Sequence, residues 1–474
     1  MKMLGARGQS PAGIRAALHR CSSGFIHRLL VAGLLVLALG VGFQGAGGRS
    51  SSESAGDGPG SSRAHLAKGA DAAEEEAEAA EGGPERAGQS ARRYHFERPQ
   101  HVRGIYVNSW SAGSRRRMAQ LLALAERTEI NTFVIDVKDA TGIVSYPTSV
   151  PLAVGAGASG ARIPDLDWLL GKLEEAGIMP VARIVIAKDP VLAAARPELA
   201  VKDSAGGLWI GPGGSVWLDP YNREVWRYHV ALAREAVAAG FPEIQWDYVR
   251  FPDAPARRMA HARFPAYDGR ARSDVVREFL AYSRHELRGT GAIVTADVFG
   301  VTTSATTDVG IGQRWESFID VVDVALPMVY PSHYSAMSFG YAEPNARPYE
   351  IVRTALERAV ERSAAVEGAG ATRPWLQDFT LGAPTYGAPE VRAQIQATYD
   401  AGVDEWVLWN AGSRYTEAAL EPTGGFAEEP LIRVGGEVVP ASRRHELYRP
   451  GEGEPSAHTG VGLGGESPPD SVDG

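Results

Sequence analysis

The sequence predicts an α/β chain: a single (β/α)8 TIM barrel with long loops, preceded by a signal or anchor segment and a disordered linker. Three observations carry that expectation. Short Val/Ile-rich runs alternate with longer amphipathic ones along the middle of the 474-residue chain, which is the signature of βαβ units and a parallel sheet. Eight such strands can be read, the number that a closed barrel needs. No Gly-rich dinucleotide loop follows the first of them, where Asn108-Ser109-Trp110-Ser111-Ala112-Gly113-Ser114 stands, so a doubly wound open sheet is the weaker alternative.

The elements follow in order. Residues 1–48 carry Lys2, Arg7, Arg15, Arg20 and Arg28 and then an apolar run from Leu29 to Phe43, which reads as a signal peptide or an N-terminal membrane anchor. Its basic side would stay in the cytoplasm, and everything after residue 48 would be exported, secreted or held at the membrane by that segment alone. Residues 49–97 are Ser, Gly, Ala and Glu, with an acidic run from Glu74 to Glu81. Such a stretch cannot bury enough surface to offset its ordering entropy and reads as a linker. The barrel spans 98–435, and all 10 tryptophans fall inside it, between Trp110 and Trp409. Its strands are expected at Arg103–Asn108, Thr132–Lys138, Met179–Ile186, Glu243–Tyr248, Ile293–Phe299, Val322–Tyr330, Trp375–Phe379 and Glu405–Asn410. Amphipathic helices are expected between them at Arg115–Thr128, Asp165–Ala176, Arg223–Ala239, Asp274–Arg288, Glu350–Ala364 and Glu390–Ala401. Residues 436–474 read as a flexible tail, rich in Gly, Ser and Pro from about Pro450.

Composition removes several functions. With 57 acidic against 48 basic residues the net charge is −9, which lacks the basic excess needed to follow a phosphate backbone, so nucleic acid is not an expected partner. The single cysteine, Cys21, precedes the apolar run. It offers no lipid-attachment site after that run, no intramolecular disulfide and no multi-thiolate metal site. His333 has no second histidine at ligand spacing, and neither a metal nor another cofactor is expected.

Polar residues recur at the strand ends, where a barrel builds its sites. Along the chain they are Tyr106 and Asn108, then Asp136, Lys138 and Asp139, Arg183, and Gln245, Asp247 and Arg250. Asp297, Tyr330 and His333, Gln377 and Asp378, and Trp409 and Asn410 complete the series. A charge inside an otherwise apolar strand is costly unless it is paired or used, so several together point to a site. Asp247 and Asp297 end the fourth and fifth strands. Because neighbouring strands lie about 4.8 Å apart, carboxylates projecting from comparable heights would stand roughly 5–6 Å from each other. Retaining glycosidases use that separation, one carboxylate attacking the anomeric carbon and the other protonating the leaving oxygen. Two like charges so close would also raise one pKa, as a general acid at neutral pH requires. The bland reading is a set of buried ion pairs, Asp247 with Arg250 and Asp297 with Arg183 or a helix end. Regular alternation would put Asp136 and Lys138 on one face, and Trp409 is placed to stack on a pyranose.

These residues lie in stretches that resemble a bacterial family of glycosyl hydrolase-like barrels. The stretches include Arg103-Gly104-Ile105-Tyr106-Val107, Phe133-Val134-Ile135-Asp136-Val137-Lys138-Asp139 and Trp217-Leu218-Asp219-Pro220-Tyr221. Gln245-Trp246-Asp247-Tyr248-Val249-Arg250-Phe251-Pro252, Ala296-Asp297-Val298-Phe299-Gly300, Pro327-Met328-Val329-Tyr330-Pro331 and Pro374-Trp375-Leu376-Gln377-Asp378-Phe379 continue the resemblance. It implies a fold similar to alpha-amylase-type barrels and makes Asp247 the match to their fourth-strand nucleophile. Those barrels place a glutamate acid/base on the fifth strand, where this chain has the shorter Asp297.

The expected function is hydrolysis of glycosidic bonds in an envelope or extracellular polysaccharide. Asp247 and Asp297 would be catalytic, and Asp136, Lys138, Arg183, Gln245, Arg250, Tyr330, Gln377 and Trp409 would bind the poly- or oligosaccharide. A non-catalytic glycan-binding barrel is the first alternative. A phosphate-binding lyase or isomerase is the second, suggested by Asn410-Ala411-Gly412-Ser413-Arg414 after the last strand.

Overall fold

The computed structural model describes residues 94–424 and the backbone of 431–434 and 437–440. The expected signal or anchor segment, nearly all of the linker and nearly all of the tail lie outside the described residues. Among the described residues no helix is long and apolar enough to cross a membrane.

Nine parallel strands make one closed sheet. They are β1 (Arg103–Val107), β2 (Thr132–Lys138), β3 (Met179–Val185), β4 (Glu243–Asp247), β5 (Ile293–Phe299), β6 (Val324–Met328), β7 (Ala371–Thr372), β8 (Trp375–Gln377) and β9 (Trp406–Trp409). Hydrogen bonding runs β5-β4-β3-β2-β1-β9-β8-β6-β7, and an added β5–β6 pairing closes the ring. There are eight staves, because β7 and β8 are two pieces of one, parted by Arg373 and Pro374. Proline has no N–H to give the ladder, so the stave expected at Trp375–Phe379 is broken at its start and short. At the seam between β1 and β9, Gly104 faces Val407, and a Cβ there would meet Val407 Cγ2 at 3.0 Å.

The strands are buried on both faces, as parallel strands between a lumen and a helical shell must be. Alternate residues sort into two layers. Tyr106, Val134, Val181, Leu326, Trp375 and Val407 pack in the lumen, whereas Ile105, Val107, Phe133 and Ile135 pack outward under the helices. Helices Arg115–Arg127, Leu166–Glu175, Arg223–Ala239, Arg272–Glu286, Pro348–Ala364 and Ala388–Asp400 cover that shell. Three of them start at side-chain caps: Ser114, Asp165 and Asn222 each accept a first-turn backbone N–H.

At the N-terminal end of the strands a guanidinium closes the lumen. Arg373, fully buried, bonds Glu243 at 2.6 Å and Glu405 at 2.8 Å, and Glu405 also meets Arg98 at 3.3 Å. Burial pushes the Glu405 carboxyl up, but Arg373 and Arg98 outweigh it and hold the group below its usual range. Beyond the barrel an antiparallel hairpin, β10 (Leu431–Val434) with β11 (Glu437–Pro440), straddles the boundary expected at 435.

Candidate active site

Side chains converge at the opposite, C-terminal end of the strands. In the parallel register Asp136 of β2 faces Arg183 of β3, and Arg183 faces Gln245 of β4, so these three sit on one level. Gln245 in turn faces Thr295 and Trp246 faces Ala296, so one further step brings Asp247 and Asp297 to a common height nearer the mouth. Arg183 is the hub. Its Nη1 donates to Asp136 and its Nη2 to Asp247, and its Nε lies 3.6 Å from Asp297 Oδ2. One guanidinium therefore spans both candidate catalytic aspartates.

Each carboxylate has further fixed partners. Asp297 Oδ1 accepts from Gln245 Nε2 and from Trp375 Nε1, both at 2.7 Å. Asp136 Oδ2 accepts from the Tyr106 hydroxyl. Asp247 Oδ1 accepts from the Tyr248 amide at 2.5 Å. Tyr106 and Trp409 stack at 4.0 Å between ring centroids, and the Arg183 guanidinium lies 5.2 Å from the Trp409 ring, so aromatic faces wall one side of the hub.

Three buried carboxylates share one cation. Asp297 is 1% exposed and Asp247 6%. Burial pushes the Asp297 carboxyl well above the usual range, and the neighbouring Asp247 charge adds to the rise. Burial also raises Asp136, against the pull of Arg183. With Asp297 Oδ1 occupied by two donors, Oδ2 is the oxygen left open to take a proton. Among the described residues no group of three or more His, Cys, Asp or Glu is arranged to hold a metal ion.

The structure brings most of the expected site residues together, with three corrections. Lys138 does not share a face with Asp136. The β2–β3 register slips between these residues, with Asp136 opposite Arg183 and Lys138 opposite Ile184, so a bulge turns Lys138 out of the lumen. There it is fully buried, 2.9 Å from Asp189 and donating to the Val185 carbonyl at 2.8 Å. Arg250 does not pair with Asp247, whose cation is Arg183. Arg250 lies instead among the rings of Phe299, Trp217 and Tyr248, at 4.5, 4.9 and 4.9 Å. Gln377 is committed to loop contacts, its Oε1 accepting from the Ser332 hydroxyl at 2.8 Å and its Nε2 donating to the Phe379 carbonyl at 2.9 Å. Tyr330 stays at the site, where burial and then the charges of Asp297 and Asp247 push its hydroxyl well up. Trp375 was not among the expected site residues. Alternation from Gln377, two positions on, would have placed it in the lumen.

The loop that suggested a phosphate cup has spent its amides. Asn410 Oδ1 accepts from Gly412 N at 2.9 Å and Arg414 N at 3.3 Å, and Ser413 N donates to the Asn410 carbonyl at 2.8 Å. A phosphate needs those N–H groups free.

Residues 104–415 match the family described as "putative glycosyl hydrolase domain". The chain belongs to that family. No curated protein matches it. Among solved structures it is similar to a hypothetical protein from Ruminiclostridium thermocellum, at 39% identity over 41% of this chain and 97% of that one, with a TM-score of 0.38. It is also similar to the PgaB (BpsB) glycoside hydrolase domain of Bordetella bronchiseptica, at 14% identity over 66% and 95% of the two chains and a TM-score of 0.46. A third is the alpha-galactosidase of Thermus thermophilus, at 16% identity over 74% and 68%, with a TM-score of 0.42.

Proposed function

We propose that this chain is an exported glycoside hydrolase that cleaves an envelope or extracellular polysaccharide with Asp247 as nucleophile and Asp297 as acid/base. The observation that carries this reading is the placement of two aspartates on adjacent strand ends, at one height, across a single guanidinium. Asp247, the more exposed of the two, attacks the anomeric carbon while Asp297 gives its proton to the leaving oxygen, forming a glycosyl ester. Water, losing a proton to Asp297, then displaces Asp247 and restores both groups. Gln245 and Trp375 hold Asp297 in place, and Arg183 steadies the Asp247 carboxylate. Asp136 and Tyr106 hold Arg183 from the far side.

The test is reducing-end release by the full chain across bacterial and plant polysaccharides, beside Asp247→Asn. Release by the wild type that collapses in the variant supports the reading and names the substrate class. Equal binding of one glycan by both proteins, with no release, supports the non-catalytic glycan-binding barrel instead.

A further inference from the structure

Next to the carboxylate cluster lies a pair of cations without counter-ions. Lys188, in the loop after β3, holds its Nζ 5.4 Å from the centre of the Tyr248 ring, and Arg250, in the loop after β4, holds its guanidinium 4.9 Å from the same ring. Both side chains are half-buried. Among the described residues neither has a carboxylate within ion-pair distance, and the one hydrogen bond shown for Arg250 goes to its neighbour's carbonyl, Phe251 O, at 3.1 Å. Asp253 and Asp247 act on Arg250 only from farther away. This is unlike the other buried cations of the barrel, since Arg183, Arg373 and Lys138 each contact at least one carboxylate.

A guanidinium partly stripped of water and not neutralised is costly, and an incoming anion recovers that cost. The surroundings say what kind of anion. The partly exposed rings of Tyr248 and Phe299 flank Arg250, with Trp217 buried beside them, and such aromatic faces suit the apolar face of a sugar ring, where a small inorganic ion gains nothing from them. Tyr248 directly follows Asp247 and is held at φ +52°, in the left-handed region that a bulky residue adopts only when the surroundings fix it. The cation pair is thereby tied to the position of the attacking carboxylate.

We propose that Lys188 and Arg250 form an anion subsite beside Asp247 and that the substrate is an acidic glycan, carrying a carboxylate or sulfate on a sugar next to the scissile bond. The proposal rests on the glycosidase reading for its location, and a binding measurement in the Asp247→Asn background separates the two. If hydrolysis is never found, binding still tests the subsite. If binding fails, the hydrolysis test stands untouched.

The experiment is affinity electrophoresis of the full-length Asp247→Asn chain through gels containing polygalacturonate, dextran sulfate or neutral hydroxyethyl cellulose, at about physiological salt. Retardation by at least one acidic polymer, weakened about tenfold or more by Lys188→Gln and by Arg250→Gln, is expected. The polymer that retards identifies carboxylate or sulfate as the recognised group. Equal retardation by the neutral polymer, no retardation by either acidic one, or retardation that both variants keep would overturn the proposal. So would complete release by millimolar inorganic phosphate, which would reduce the site to a small-anion pocket. If Arg250→Gln loses its cooperative thermal transition, Lys188→Gln alone decides, because its side chain is shown only against the Tyr248 ring.

Discussion

Both ends of the barrel are closed by an arginine among carboxylates, and the two ends are balanced differently. At the floor Arg373 meets Glu243 and Glu405, and Arg98 adds a second cation, so charge is matched, with Arg373 and Glu243 fully buried. At the mouth Arg183 faces Asp136, Asp247 and Asp297, among the described residues no second cation pairs with these three, and two of the three carboxyls are pushed up by burial. A matched network stabilises a fold, whereas an unmatched one that is buried stores an affinity for a proton. The same residue types thus mark structure at one end and the proposed chemistry at the other, and the count of charges separates the cases.

The sharpest test of that contrast is Asp247→Asn, which should lower kcat on the order of 10^4-fold while leaving the melting temperature within a few degrees of the wild type. Comparable loss of activity and of stability would erase the distinction between the two ends. Arg373→Met should do the reverse. It leaves Glu243 buried beside no cation and Glu405 with Arg98 alone, and should cost about 3–5 kcal/mol in denaturant unfolding, with kcat at 25 °C within about twofold. Adding Glu243→Leu to that variant should recover part of the loss. Next in size, Tyr106→Phe removes the hydroxyl that Asp136 accepts and should cost about 1–3 kcal/mol, read in the same denaturant titration.

The smallest effect concerns pH. In the proposed mechanism Asp297 works as the protonated acid, so activity should fall as pH rises through its raised pKa. Gln245→Leu removes a donor that favours the ionised form, so the alkaline limb of kcat/KM should move upward by roughly half to one pH unit. The floor has the opposite sign. Glu405 lies below its ordinary value, so the stability it contributes is complete above that ordinary value and is lost as pH falls through the lower folded one. The wild type should therefore lose stability on acidification through this group, and Arg373→Met should show less of that dependence.

Most of the barrel is legible because parallel strands buried on both faces read as unbroken apolar runs, and Thr132–Lys138 and Ile293–Phe299 stand where they were expected. The site is legible for a related reason: Asp136, Arg183, Gln245, Asp247 and Asp297 interrupt such runs. Lys138 escapes because one skipped residue in the pairing reverses which way a side chain faces, and no pattern along a single strand records how its neighbour pairs. Arg250 escapes for a similar reason, since its nearness to Asp247 along the chain says nothing of the guanidinium that reaches Asp247 from β3. The hairpin β10–β11 carried a signal that a reading of 436–474 as tail passes over, namely Gly435-Gly436 between two apolar runs.

The seam between β1 and β9 sets an order of events during synthesis. The first strand to leave the ribosome has β9, nearly the last, as its outer neighbour, so its edge stays unpaired until residues 406–409 have been made. That same late strand delivers Trp409 against Tyr106. A nascent chain stopped short of it has an open sheet and half a wall, so ring closure and completion of the candidate site arrive together.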